Sequence, residues 1–148
     1  SDGAGAVQLS NRPNESGLSF KIDWIELTSY ANEMPVCMYA GGEVQNGQFV
    51  SWKSVPQAER DAKSFMAIKQ DVKLLNENIV KYTVEKALSK LIEKYDLKAE
   101  DIDYFLPHYS SDLEELTRTF PLKAGQKVLC YVPESGRFSS CFMLLEVV

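Results

Sequence analysis

Apolar and polar residues alternate along Leu18, Phe20, Ile22 and Trp24, which are separated by Ser19, Lys21 and Asp23. A period of two puts the two sets on opposite faces of a pleated strand, so the pattern predicts a half-buried strand running to about Tyr30. Val7, Gln8 and Leu9 alternate in the same sense and predict a shorter strand before it. Residues 11–17, with Pro13 and Gly17, are turn-rich and join the two. Residues 32–54 then carry Pro35 and three glycines without a sustained period. They read as a long loop or flap, either functional or a plain surface excursion.

The period changes to three and four after Pro56, which suits the first turn of a helix carrying Ala58, Ala62, Phe65 and Met66. From about Asp71 to Tyr95, the residues Val72, Leu75, Ile79, Tyr82, Leu88, Leu91 and Tyr95 form one apolar stripe. Lys73, Glu77, Lys81, Glu85 and Lys90 lie off it, so this is a long amphipathic helix with Asp71 as its cap. A short apolar run, Tyr104 to Leu106, leads into Pro107 and His108 and predicts another strand. Gly125 and Gln126 mark a turn before the strand of residues 127–132, and Pro133 to Gly136 a turn before an apolar strand of residues 138–148. The order predicts a mixed α/β sheet with packed helices in one domain, residues 1–148.

Composition narrows the partners. At 148 residues and 45% hydrophobic content the chain builds one core. Lys and Arg number 16 against 21 Asp and Glu, a formal charge of −5, with no basic block to attract nucleic acid or an anionic membrane. Cys37, Cys130 and Cys141 show no CxxC spacing and accompany a single histidine, which argues against a zinc site and against a disulfide framework. Cys130 and Cys141 read as buried, inert core residues, and Cys37 as a loop thiol. No apolar run reaches the ~20 residues of a membrane span. The expectation is a soluble, cytoplasmic protein with no bound metal.

His108 is the candidate with chemistry to offer. An apolar strand that runs straight into Pro-His and small polar residues delivers a side chain to the crevice outside the carboxyl edge of an α/β sheet, where such folds bind ligands. The alternative is a structural histidine satisfied by hydrogen bonds.

Three stretches resemble a known family. The opening Ser1-Asp2-Gly3-Ala4-Gly5-Ala6 is similar to a Gly-Asp-Gly-Ala-Gly-Ala segment, residues 101–111 to an Asp-Ile-Asp-hydrophobic-Pro-His stretch, and residues 124–146, through Ser135, Gly136 and Arg137, to a Gly-rich loop and final strand. Together they resemble the C-terminal half of a β-ketoacyl-acyl carrier protein synthase III, a thiolase-fold condensing enzyme, with residues 1–10 resembling the last strand of the N-terminal half.

The resemblance implies a dimeric cytoplasmic acyltransferase of fatty acid or polyketide synthesis. Its substrates would be acyl-coenzyme A and malonyl-acyl carrier protein, with no permanently bound cofactor. His108 matches the family histidine, whose Nε2–H would donate to the thioester oxygen, and Ser135 and Gly136 fall in the loop that would contribute backbone N–H groups to an oxyanion. Glu134 and Arg137 depart from the family's glycine-rich pattern.

No cysteine here matches the family nucleophile, and the family asparagine falls in a stretch that this chain skips between about Ser111 and Leu113. The 148 residues alone are therefore expected to be inactive. A thiolase-fold acyltransferase, a noncondensing partner subunit and a noncatalytic protein-binding domain are the alternatives. Lys53, Arg60, Lys63 and Lys69 offer a basic patch for an acidic carrier protein, or simply a solvated face.

Overall fold

The computed structural model describes residues 7–107, 112–134 and 136–148. Its strands and helices, in chain order, are β1 (Phe20–Ser29), β2 (Met38–Tyr39), β3 (Gly42–Gln45), β4 (Gln48–Ser51), α1 (Gln57–Ala62), β5 (Lys69–Gln70), α2 (Val72–Val80), α3 (Ala87–Tyr95), β6 (Tyr104–Pro107), α4 (Asp112–Thr119), β7 (Lys127–Glu134) and β8 (Ser139–Val147). A π-helical turn, Lys81–Lys86, joins α2 to α3 into one continuous helix. The class is the mixed α/β expected from the pattern.

The main sheet has the order β1-β8-β7-β6. β8 pairs antiparallel with both β1 and β7, whereas β6 pairs parallel with β7 across the α4 crossover. Its two faces are covered by different elements. On one, Leu129, Tyr131, Phe142 and Leu144 pack with Ala87 and Leu91 of α3 and with half-buried Leu75, Ile79 and Tyr82, so the predicted apolar stripe is the core-facing one from Leu75 onward, whereas Val72 is exposed. Trp24 of β1 stacks on Tyr95 with ring centroids 4.6 Å apart. On the other face Leu116 of α4 is buried with Val128 and Leu145. β8 alternates in burial until Leu144 and Leu145, both buried because both faces are covered there. Burial of each such side chain contributes about 1.5–3 kcal/mol.

The N-terminal cap of the long helix was readable. Asp71 Oδ1 accepts from the Leu74 N–H at 2.9 Å, closing the first turn of α2. Asp96, at φ 49°, ends α3 in the left-handed conformation. Gly125, at φ 87°, makes the turn before β7 and donates to Val147 O at 2.8 Å.

Two expectations are corrected. Val7 to Leu9 form no strand: Val7 and Leu9 are exposed, and no strand among the described residues pairs with them. Residues 32–54 are not one open loop. β3 and β4 form a hairpin closed by Asn46 and Gly47, both at positive φ (51° and 77°), the two-residue geometry that Asn-Gly adopts most readily. β2 pairs with β5, which ties the start of this region to the residues before α2. Among the described residues, no helix is long and apolar enough to cross a membrane.

Candidate functional site

The parallel pair β6–β7 determines where the candidate residues fall. Phe105 lies opposite Leu129, Leu106 opposite Cys130 and Pro107 opposite Tyr131. β6 ends there, and β7 runs on to Glu134 before the turn into β8. The carboxyl ends of both strands therefore open on the same sheet edge. His108 follows Pro107 in the chain but lies outside the described residues, as do Ser135 and the Ser1–Ala6 stretch.

The turn after β7 is tightly held. The Gly136 N–H donates to Glu134 Oε1 at 2.7 Å and the Arg137 N–H to Glu134 Oε2 at 3.0 Å, so one carboxylate occupies both backbone donors. Gly136 leaves the room for that approach, because a Cβ on it would sit 2.6 Å from Glu134 Oε1 and the carboxylate would have to shift. Phe138 adopts φ 52°, a left-handed conformation that costs a bulky residue about 1–2 kcal/mol. It is fully buried against Tyr82 (6.1 Å between ring centroids), and its carbonyl accepts from the Tyr30 N–H at 3.2 Å.

Cys37 closes the edge from the other side. Its N–H donates to Gly136 O at 3.1 Å, and its carbonyl accepts from the Asp71 N–H at 2.7 Å, linking the turn to the start of α2. The side chain is fully buried rather than displayed on a loop. Burial pushes its thiol up, and the Glu134 and Asp71 charges add to that, which disfavours the nucleophilic thiolate. Cys130 and Cys141 are half-buried, not fully buried as expected, and no disulfide links the three cysteines. Burial also pushes the Cys141 thiol up.

Beneath the edge, Tyr131 Oη and Thr83 Oγ1 lie 2.5 Å apart, and the Thr83 hydroxyl also donates to Ile79 O at 2.7 Å. Thr83 is fully buried in the π-helical turn, a helix irregularity often found at functional sites. Burial raises the Tyr131 phenol above the usual tyrosine range, and the Thr83 bond opposes that rise. Sequence reasoning missed Glu134, Cys37, Thr83 and Tyr131 as parts of one assembly. A glutamate two residues before a glycine was the available signal for the first.

The basic patch is largely spoken for. Lys63 pairs with Glu59 at 2.8 Å and Lys69 with Glu43 at 2.6 Å, while Lys53 and Arg60 lie over the Trp52 ring, 5.8 and 5.4 Å from its centroid. Among the described residues, no group of His, Cys, Asp and Glu is arranged to hold a metal ion. No protein-family model matches this chain, and no curated protein matches it.

Proposed function

We propose that this chain is the C-terminal part of a thiolase-fold condensing enzyme of the β-ketoacyl-acyl carrier protein synthase III type. The reaction is the decarboxylative Claisen condensation of an acyl thioester with malonyl-acyl carrier protein. The observation that supports it is the parallel β6–β7 pair. The strand that leads into His108 and the strand that leads into the Gly136 turn end on one edge, where open α/β sheets bind their ligands.

In this reading, decarboxylation breaks the malonyl C–C bond, releases carbon dioxide and leaves an enolate whose charge falls on the thioester oxygen. The His108 Nε2–H donates to that oxygen. The carbanion then attacks the acyl carbonyl, and the thiolate that carried the acyl group leaves. Gly136 takes no part as a donor while Glu134 holds its N–H, so the electrophilic role rests on His108. Neither the family's nucleophilic cysteine nor its asparagine matches a residue here, so the full cycle belongs to a protein that supplies both.

Product analysis with acyl-coenzyme A and malonyl-acyl carrier protein tests the reading in the protein that contains this chain. Carbon dioxide release with a 3-oxoacyl product is expected. Acyl transfer without carbon dioxide would replace it with a simple acyltransferase, and partner binding without any thioester turnover with a noncatalytic domain.

A further inference from the structure

The turn between β7 and β8 directs two successive backbone donors at one carboxylate. Glu134 Oε1 takes the Gly136 N–H at 2.7 Å and Oε2 the Arg137 N–H at 3.0 Å. Among the described residues neither N–H has another acceptor. Successive N–H groups that converge in this way form a concavity that binds anions, and bonds to an ionised acceptor are the strongest they can make. Glu134 fills that concavity from within the chain.

The backbone that carries these donors is also anchored at other points. The Gly136 carbonyl accepts from the Cys37 N–H at 3.1 Å and the Phe138 carbonyl from the Tyr30 N–H at 3.2 Å, while the Phe138 ring is fully buried. Gly136 is buried, whereas Glu134 and Arg137 are exposed. The carboxylate is therefore the solvent-facing part of the turn, and a carboxylate from elsewhere can satisfy the same two donors. Arg137, in no ion pair among the described residues, supplies the turn's positive charge.

We infer that the Gly136 and Arg137 N–H groups form a binding site for a ligand's carboxylate, which Glu134 occupies as an internal stand-in until the ligand displaces it. The geometry sets the class of ligand: the two oxygens of one planar group reach two adjacent donors, which a carboxylate matches and a single-atom anion such as chloride does not. The turn follows the carboxyl end of β7, on the edge where open α/β sheets bind ligands. Displacement exchanges one carboxylate for another, so the turn keeps both of its bonds. An intramolecular carboxylate competes at high effective concentration, so a bare carboxylate binds weakly while Glu134 is present. This site stands independently of the condensation reaction.

Amide NMR spectra of the isotope-labelled chain, titrated with sodium acetate against sodium chloride at the same ionic strength, test the proposal. In Glu134→Ala the Gly136 and Arg137 amides should show a saturable shift with acetate that chloride does not produce. In Glu134→Gln, whose neutral side chain offers one acceptor oxygen, the same amides should respond with weaker affinity, and in wild type they should stay in place over the same range. Acetate should also raise the urea midpoint of both variants above the chloride control and leave wild type unchanged, because a ligand of the folded form stabilises it. Hydrogen-exchange protection of the Cys37 and Tyr30 amides, which reports the other anchors, should persist in both variants. Loss of that protection in both, no saturable acetate shift in either, or acetate binding to wild type as tightly as to Glu134→Ala would each overturn the proposal.

Discussion

Glu134 is the residue on which the edge turn depends. Its carboxylate satisfies two backbone donors, and Gly136 leaves the space in which it does so. Gly136→Ala should displace the carboxylate and cost about 1–2 kcal/mol, mostly through the lost hydrogen bonds, since the displaced atom is the end of a flexible side chain. In a Glu134→Ala background the same substitution should cost much less, because the colliding oxygen is gone. Urea unfolding of the two single variants and the double variant measures this coupling, and additive losses would contradict it. The constraint on Phe138, left-handed and fully buried at the same turn, shows that the surrounding packing, not local preference, sets this backbone.

Among the elements, the long helix carries the clearest local specification. Its cap, its apolar stripe from Leu75 onward and its charged face all agree, and the fold uses each as the pattern implies. Asp71→Ala should cost about 1 kcal/mol by removing the acceptor for the Leu74 N–H. A thermal or urea midpoint that does not fall would show that the cap contributes nothing.

The last two strands were equally legible, because continuous apolar runs between turn residues have few other solutions. The β3–β4 hairpin was not read, although Asn46-Gly47 was present, because the glycines around it masked a two-residue turn. Val7 and Leu9 showed the period of a strand, but alternation alone supplies no pairing partner. For the candidate site, the strand before His108 was readable from Tyr104 to Pro107. Its parallel pairing with β7 was not, since that depends on contacts across the α4 crossover. Neither was the link from Cys37 to Gly136, which joins residues 99 positions apart in the chain.

For the whole molecule, the same sheet carries two kinds of edge. The carboxyl edge gathers the end of β6, the Glu134–Phe138 turn and Cys37 over the buried Thr83–Tyr131 pair. The lateral edge is β1, whose pairing strand among the described residues is β8. The ion pairs on the exposed surface, such as Lys21 with Asp23 and Lys63 with Glu59, add little stability of their own. The role proposed for His108 is tested most directly by comparing wild type with His108→Ala in a protein that contains this chain. Both half-reactions, acyl loading and carbon dioxide release from malonyl thioester, would be followed. Loading should be retained while decarboxylative condensation falls by at least about a hundredfold. Condensation at an unchanged rate in His108→Ala would contradict it.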